Sequence, residues 1–452
     1  MNSFSDLRQQ AFDHVFVSVR PWNVLTAPGG YTIFTEGEGC HVTDSTGKTY
    51  LDFWGTIQGA NLLGYGRREI ADAAYEQMMT LQFTPTHEGS IPKIQLAHKL
   101  AGITPGSLSR VFYANGGTEA IESALKIARK YHAISGFPMK YKVISTNAYH
   151  GSTYAAMATG YNGAFHWEDF EPLPSGYLRA VHPWCSRCTF GLSYPDCNLA
   201  CARHVEQIII DQRPETVGAF IDTPISSFNY VPPPEYWPMV RAICEKYDVL
   251  LIFDCIVTGL GRTGKMFAAE HLNVVPDIMV IGKGLAGGYF PISAAVVTQE
   301  VAKRFEGGPG ESIIHSFTFE GLPGGCAAAL ATLQIIENEK VVEHSAVMGT
   351  YLYEQLQSLY KHDIVGDIRG GLGLMASVEL FKDKSKKQQF SFSENAKIGR
   401  LLKAKMMEAG LWGMFRNPLP VCPSLTITKD EIDEIVGTFD VVIGEIEKNH
   451  FS

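Results

Sequence analysis

The middle of the chain alternates short apolar runs with helical patterns. The apolar runs predict strands at residues 110–114, 141–145, 217–221, 249–253, 278–281 and 292–297. Between them, amphipathic stretches predict helices at 119–135, 199–211 and 235–247. Several of the strands are apolar throughout, which is typical of a mostly parallel sheet covered by helices. The predicted fold class is therefore α/β, and ligands of such folds bind beyond the carboxyl ends of the strands.

The two ends of the chain show a different pattern. We expect residues 1–35 to be irregular, 39–52 to form a β-hairpin, and 68–82 to form a helix. A helix at 324–338 precedes helices at 341–361, 394–409 and 429–448 and a strand at 374–380. These patterns predict an N-terminal segment, 1–65, that belongs to a small domain, a large domain, 66–335, and a C-terminal α+β small domain, 336–452.

Composition and charge narrow the classes of function. The 452 residues are too many for one simple core, and 45% hydrophobic with 19% charged residues is ordinary for a globular protein. A net charge of -9 argues against nucleic acid or an anionic membrane as the main partner. The first residues lack a signal-peptide pattern, and no apolar run of about 18 residues occurs. Nine scattered cysteines, an odd count, indicate a reducing compartment, so we expect a soluble cytoplasmic enzyme.

Four of the cysteines lie close together in the sequence. Cys185, Cys188, Cys197 and Cys201 have the spacing C-x2-C-x8-C-x3-C, and four cysteines at short spacing can hold zinc. The alternative is a set of small apolar residues in a compact excursion. Because the flanking residues do not resemble a separate zinc ribbon, we expect no metal.

One lysine stands at the end of a predicted buried strand. Residues 278–281 are apolar, and Gly282-Lys283-Gly284 follows them. A lysine at the mouth of a buried strand loses water and its pKa falls, and a neutral amine can form a Schiff base with a carbonyl compound. The alternative is an ordinary solvated loop lysine. The choice depends on whether the rest of the chain supplies a site for a carbonyl cofactor.

Three other strand ends offer suitable groups. The run 249–253 ends in Asp254, which can keep the ring nitrogen of a pyridine-type cofactor protonated and so make the ring an electron sink. In Gly116-Gly117-Thr118, glycines permit close approach, and the start of a helix offers N–H groups to a phosphate. Tyr149 can stack on a flat ring. Each of these groups has a plainer interpretation. Asp254 can be a capping aspartate, Gly116-Gly117-Thr118 a simple capping turn, and Tyr149 a core or surface tyrosine.

In this combination and order, the chain resembles the class III aminotransferases, which are pyridoxal-phosphate enzymes of fold type I. The resemblance runs from about residue 40 to 440. It is strongest over 251–266, Leu-Ile-Phe-Asp-Cys-Ile-Val-Thr-Gly-Leu-Gly-Arg-Thr-Gly-Lys-Met, and continues through Pro276-Asp277 to Gly282-Lys283-Gly284. It implies a large domain that binds pyridoxal 5'-phosphate.

The resemblance also implies a role for each matching residue. Gly117 and Thr118 hold the phosphate, and Tyr149 stacks on the ring. Ile256 packs on the other face of the ring, where plain core packing is the alternative. Asp254 pairs with the ring nitrogen, and Lys283 forms the Schiff base and shuttles a proton.

Two later segments extend the resemblance. Ser316-Phe-Thr318-Phe-Glu-Gly321 matches a segment whose threonine reaches the cofactor phosphate of the neighbouring subunit, which implies a homodimer with shared active sites. Arg416 lies near the position of an arginine that binds the substrate carboxylate, and a planar fork suits that task. The alternative for Arg416 is a surface arginine packed on an aromatic ring such as that of Trp412.

The sequence departs from the family's common pattern at two motifs, one of which bears on the choice of substrate. A common Glu-Pro-Val motif is Thr223-Pro224-Ile225 here, which argues against 2-oxoglutarate and for pyruvate as the acceptor. After Asp254, Cys255 and Val257 stand where the family commonly has an acidic residue and often glutamine. The resemblance implies a transaminase acting on an ω-amino acid or amine and a 2-oxo acid. The alternatives are an amino-acid racemase or epimerase of the same fold and, in a different class, a cofactor-free interaction protein.

Overall fold

A computed structural model describes residues 4–27, 29–160, 167–226 and 228–450 of the chain. The N-terminal part contains two helices, α1 (Phe4–His14) and α2 (Trp22–Thr26), and three strands, β1 (Phe34–Glu38), β2 (His41–Asp44) and β3 (Thr49–Asp52). The predicted hairpin over 39–52 is confirmed, because β2 pairs antiparallel with β3. The prediction of an irregular segment over 1–35 is wrong. The polar composition of α1 obscured an i, i+3, i+7 apolar spacing at Phe4, Leu7 and Ala11.

The central part of the chain supplies one large sheet and the helices around it. Its strands are β4 (Leu108–Ala114), β5 (Lys142–Ser145), β6 (Tyr177–Arg179), β7 (Val217–Asp222), β8 (Leu250–Asp254), β9 (Ile278–Ile281) and β10 (Ser293–Thr298). Its helices are α3 (Arg68–Thr80), α4 (Ile91–Ile103), α5 (Gly117–Ile134), α6 (Tyr154–Thr159), α7 (Ala200–Asp211), α8 (Tyr236–Lys246), α9 (Ala269–Leu272), α10 (Gln299–Lys303) and α11 (Pro323–Asn338). Sequence analysis had not predicted α4, although Ser90 caps its first turn and Pro92 follows, which is a recognisable helix start.

The large sheet has the order β4-β10-β9-β8-β7-β5-β6. Neighbouring strands from β9 to β6 are parallel, whereas β10 runs antiparallel to both β4 and β9. Each of β7, β8, β9 and β10 is buried along its whole length. The predicted α/β class with a mostly parallel sheet is therefore confirmed, and the antiparallel β10 is the exception that makes the sheet mixed.

Alternate residues of these strands enter two separate cores. Leu251 and Phe253 of β8 belong to one hydrophobic cluster, whereas Leu250 and Ile252 belong to the other. Successive side chains of a strand point to opposite faces of the sheet, so a strand covered on both faces must be apolar at every position. That requirement explains why the polar residues of this part collect at the strand ends.

The C-terminal part contains α12 (Val341–Gln357), α13 (Phe392–Glu408) and α14 (Lys429–His450), with β11 (Val365–Arg369), β12 (Ala376–Leu380), β13 (Leu411–Trp412) and β14 (Leu419–Val421). Strand β13 pairs parallel with β3, and the Lys48 ammonium donates to the carbonyl oxygens of Met407 and Glu408 at 2.6 and 2.8 Å. This pairing agrees with an N-terminal segment that belongs to the small domain, although the three domain boundaries stay a prediction.

Among the described residues, no helix has both the length and the apolar character that crossing a bilayer requires.

Trp237 ties the helix α8 to the sheet and to the loop after β7. Its side chain is 1% exposed, its ring lies 4.6 Å from that of Phe253, and its indole N–H donates to the Pro224 carbonyl at 2.8 Å. We expect Trp237→Phe to lower the free energy of unfolding by about 1–3 kcal/mol because the buried carbonyl loses its donor. Urea denaturation of the cofactor-free protein measures this change.

Trp22→Phe is the matched control, since Trp22 is 53% exposed, and it should shift the free energy of unfolding by less than about 0.5 kcal/mol. A Trp237→Phe midpoint no lower than that of Trp22→Phe would contradict the role of Trp237.

Candidate active site

Lys283 and Asp254 lie at the same edge of the large sheet. Asp254 ends β8 and pairs with Val280 of the adjacent parallel strand β9, and Lys283 follows β9 by two residues. Lys283 begins a short 3-10 turn with φ of 45°, a left-handed backbone conformation that non-glycine residues seldom adopt. Such strain persists where the surrounding structure enforces it, and functional sites are common places for it.

The environment of Lys283 favours the neutral amine. Burial lowers the pKa of its ammonium group, and the nearby guanidinium of Arg262 acts in the same direction. The Asp254 carboxylate and the Cys422 thiol raise the pKa and oppose the effect of burial only in part. In the described part of the chain, no group forms a hydrogen bond with the amine. Lys283 is therefore available to react with a carbonyl carbon.

Asp254 is held in one orientation by two hydrogen bonds. Its Oδ2 lies 2.8 Å from Nδ1 of His150, and its Oδ1 accepts from the backbone N–H of Ile256 at 3.1 Å. Asp254 is 4% exposed and His150 is 2% exposed. A buried carboxylate fixed in this way presents its remaining lone pairs to whatever lies in front of the strand end.

The start of α5, residues Gly116, Gly117 and Thr118, forms an open cup near Asp254 and His150. Gly116 precedes the helix and offers no capping side chain, so the N–H groups of the first turn remain available to an anion. A Cβ on Gly117 would lie 2.8 Å from Cδ1 of Ile256, so a larger residue there would force the Ile256 side chain to shift. Ile256 thereby joins the cup to the end of β8.

The loop after β5 closes one side of the cup. The backbone N–H of Ser152 donates to the Thr118 hydroxyl at 3.3 Å, and the Tyr149 hydroxyl lies 2.9 Å from that of Ser152. Gly151 has φ of 144°, and a Cβ there would lie 2.4 Å from the Thr118 hydroxyl oxygen. Tyr149, which is 40% exposed, therefore stands beside this cup.

The structure thus brings six of the eight candidate residues into one connected region, namely Gly117, Thr118, Tyr149, Asp254, Ile256 and Lys283. Among the described residues, no hydrogen bond or ion pair joins Thr318 to this region, and its side chain is exposed. The guanidinium carbon of Arg416 lies 4.3 Å from the ring centroid of Phe228, in the loop after β7.

Arg416 is half-buried and packs on an aromatic ring, as the alternative expected, but the ring is that of Phe228 and not that of Trp412. Its Nε is buried and makes no hydrogen bond within the described residues, and burial lowers the pKa of its guanidinium to about 10. A buried cation that lacks a carboxylate partner favours an incoming anion.

Sequence analysis assigned no role to Arg262, a residue that the structure places behind Lys283. Its side chain is fully buried, and its Nη1 donates to the carbonyls of Leu374 and Pro423 at 2.9 and 2.6 Å. A Cβ on Gly59 would lie 2.4 Å from its Nη2. The residue stands in the motif Gly261-Arg262-Thr263-Gly264, but its tertiary neighbours lie far away in the chain.

The four clustered cysteines line one pocket together with His182, Trp184 and Tyr194. All four are free thiols, and burial raises the pKa of Cys201 to about 11. Within the described ranges, no three His, Cys, Asp or Glu side chains are grouped so that they could hold a metal ion. The zinc alternative therefore gains no support from the described residues.

Comparison with known proteins identifies the family. The family model for aminotransferase class-III matches residues 26–443. A taurine–pyruvate aminotransferase of Bilophila wadsworthia is 37% identical over 442 residues, covering 94% of this chain and 96% of that protein. An (S)-enantioselective omega-transaminase from Thermomicrobium roseum superposes with a TM-score of 0.93 at 34% identity, covering 99% of both chains.

An omega transaminase from Pseudomonas jessenii, solved in complex with PMP, superposes with a TM-score of 0.90 at 32% identity and covers 98% of both chains. The chain belongs to the class III aminotransferases and is a pyridoxal-phosphate-dependent transaminase of fold type I.

The residues at the sheet edge fit pyridoxal phosphate. A helix of 18 residues begins at the cup, and a side chain on Gly117 would close the space beside Ile256. Lys283 supplies an amine without a hydrogen-bond partner in the described chain, and Asp254 supplies a buried carboxylate. The start of α5 suits the phosphate of the cofactor, Asp254 suits its ring nitrogen, and Lys283 suits its aldehyde.

Lys283→Ala tests the central residue of the site. We expect turnover to fall by at least about 10²-fold, because the variant lacks the one amine of this region that could transfer a proton as a general base. Steady-state assays with an amine donor and a 2-oxo acid measure the change.

Lys265→Ala serves as the matched control, since Lys265 is an exposed lysine of the adjacent glycine-rich loop. Turnover by Lys283→Ala within about tenfold of the wild type would exclude Lys283 as the catalytic base.

Proposed function

We propose that this transaminase moves an amino group from an ω-amino acid or a simple amine to a 2-oxo acid such as pyruvate. The observation that carries the proposal is the half-buried Lys283 amine, which lies near Asp254 and has no hydrogen-bond partner among the described residues. The names of the taurine–pyruvate aminotransferase and the omega-transaminase that the chain resembles support an amine donor.

The proposed cofactor site uses the connected region at the sheet edge. Bound pyridoxal phosphate supplies an aldehyde that exchanges with amines and a ring that withdraws electrons. The residues assigned to it are Gly117 and Thr118 for the phosphate, Tyr149 and Ile256 for the two faces of the ring, Asp254 for the ring nitrogen, and Lys283 for the aldehyde.

Lys283 has a second task as general base and acid. Its lowered pKa allows it to accept a proton from the carbon that carries the amino group and to return a proton later. Arg262 supports this task because its buried positive charge disfavours a permanently protonated Lys283. The full burial of β8 and β9 keeps water from the sheet side of the site.

Arg416 is the proposed partner of the substrate carboxylate. Its buried guanidinium stacks on Phe228 and keeps an unsatisfied N–H, so a carboxylate would supply the missing acceptor and the missing charge. Thr223 stands where the family commonly has a glutamate, and a threonine cannot pair ionically with an arginine. This absence favours pyruvate over 2-oxoglutarate as the acceptor.

A homodimer with shared active sites completes the proposal. Large apolar side chains on α3, α4 and the adjoining loops are exposed in the single chain, including Met79, Phe83, Ile91, Ile94 and Phe319. Exposed patches of this kind mark protein interfaces. Thr318 lies next to Phe319, which is consistent with a role at the phosphate of the partner subunit.

We also propose a cytoplasmic location and the division into domains at residues 1–65, 66–335 and 336–452. The nine free thiols support a reducing compartment.

A half-reaction screen tests the substrates. Protein loaded with pyridoxal phosphate is mixed with single amines, and the visible absorbance of the bound cofactor is followed before and after adding pyruvate or 2-oxoglutarate. We expect ω-amino acids or simple amines to change the absorbance and pyruvate to restore it. Inversion of one amino-acid enantiomer without any 2-oxo acid would instead indicate a racemase.

Arg416→Gln tests recognition of the acceptor. We expect the KM for pyruvate to rise by about 10–100-fold, since a charge-assisted hydrogen bond is lost, while the half-reaction with an amine that lacks a carboxylate is unchanged. Arg400→Gln, at an exposed position of α13, is the control. Equal KM values for the two variants would remove Arg416 from the carboxylate site.

Mixed dimers test the shared site. Lys283→Ala and Thr318→Val subunits are refolded together, so each hybrid contains one site with both native residues if the site is shared. We expect the mixture to recover cofactor affinity and activity that neither variant shows alone. No recovery, with hybrids verified by native mass spectrometry, would place Thr318 outside the partner's site.

A further inference from the structure

A cluster of charged and aromatic side chains lies beside Arg416, and the proposed function leaves it without a role. Its members are Arg187, Asp367, Arg369 and Glu379, with the rings of Trp184, Phe228 and Tyr230. Asp367 and Arg369 stand on β11, and Glu379 stands opposite Asp367 on β12. Charges removed from water are costly unless they are paired and hydrogen-bonded, so the pairing within this cluster is informative.

Arg369 is the centre of the cluster. Its side chain is 9% exposed, and its Nη1 donates to Oδ2 of Asp367 at 2.6 Å and to Oε2 of Glu379 at 2.7 Å. The other carboxylate oxygen of Glu379 accepts from Arg187. Glu379, which is 1% exposed, therefore has both oxygens occupied by arginines. Charge-assisted bonds from two carboxylates hold the Arg369 guanidinium in one orientation.

Arg369 also holds the loop after β7. Its Nε donates to the carbonyl oxygen of Phe228 at 3.0 Å, and its guanidinium carbon lies 4.0 Å from the ring centroid of Tyr230. Between these two residues, the side-chain amide of Asn229 donates to the carbonyl of Met375, the residue before β12, at 2.9 Å. Residues 228–230 are thus tied to β11 and to the start of β12.

Arg416 is tied to the same two strands. Its guanidinium carbon lies 4.3 Å from the ring centroid of Phe228, so this ring supports the head of the side chain. The next residue, Asn417, exchanges two hydrogen bonds of 2.8 Å with the backbone of Leu380, which follows Glu379 on β12. The ring beneath the Arg416 guanidinium and the backbone beside it therefore both depend on β11 and β12.

We propose that Arg369 is a positioning residue for recognition of the 2-oxo acid: it fixes Phe228, and Phe228 fixes the guanidinium of Arg416 for the incoming carboxylate. This inference rests on the role proposed for Arg416. An arginine that is held in place before binding loses less conformational freedom when the anion arrives. Because Arg369 is almost fully buried and engaged by two carboxylates, it acts on the acceptor through Arg416.

Acceptors with and without a carboxylate separate this role from a merely structural one. Protein loaded with pyridoxamine phosphate is mixed with pyruvate or with propanal, which offers a carbonyl but no carboxylate, and the second-order rate constant of the half-reaction is measured for each. Arg369→Lys keeps a positive charge beside Asp367 and Glu379 but loses the Nε donor. We expect it to lower the ratio of the pyruvate to the propanal rate constant by about 10-fold. An unchanged ratio overturns the proposal.

Arg241→Lys is the matched control. Arg241 is also a largely buried arginine, with a side chain 18% exposed, and it pairs with Asp277 at 2.8 Å at the opposite edge of the large sheet. We expect this variant to keep the wild-type ratio. An equal fall in both variants overturns the proposal, because the effect would then follow from the loss of any buried arginine pair.

Phe228→Leu is the second variant, and it leaves the ion pairs of Arg369 intact. We expect the ratio to fall here as well, since Arg416 loses the ring that supports it. An unchanged ratio overturns the proposal even if Arg369→Lys does not fold.

The double variant Arg369→Lys/Arg416→Gln tests whether the two arginines act in series. If Arg369 acts through Arg416, the double variant has the same ratio as Arg416→Gln alone, whereas independent effects multiply. Multiplied effects overturn the proposal.

Arg416→Gln alone separates this inference from the proposed function. An unchanged ratio in Arg416→Gln would refute the role of Arg416, whereas a fall there combined with the wild-type ratio in Arg369→Lys would refute only the role of Arg369.

Discussion

The partial removal of one amine from water, at the carboxyl edge of the large sheet, is the constraint on which the rest of the site depends. Lys283 can react with a carbonyl only if its proton is easily lost, and removal from water achieves this. Burial requires strands that are apolar on both faces, and β8 and β9 meet that requirement. The same packing that stabilises the fold therefore lowers the pKa of the lysine.

Lys140 shows that burial alone does not make a lysine reactive. Its side chain is 6% exposed, and burial lowers its pKa as well. However, its ammonium donates to the carbonyls of Val217, Tyr247 and Asp248 at 3.2, 2.7 and 2.8 Å. Three acceptors use all three of its protons, so Lys140 is a structural cation. Lys283 differs because the described residues offer it no such acceptor.

Six of the seven strands of the large sheet, all except β6, were predicted from sequence because they depend on local pattern. Apolar runs of the right length identified β8 and β9, and Asp254 and Lys283 followed from their positions at the ends. Arg262 and the Phe228 partner of Arg416 depend on residues distant in the chain, and no local pattern specifies such contacts.

The most direct test of the central claim is chemical. Protein loaded with pyridoxal phosphate is reduced with borohydride, digested, and mapped by mass spectrometry to find the lysine that retains the cofactor. The account predicts modification of Lys283 alone. Retention on Lys140 or any other lysine, or no covalent retention at all, would contradict it.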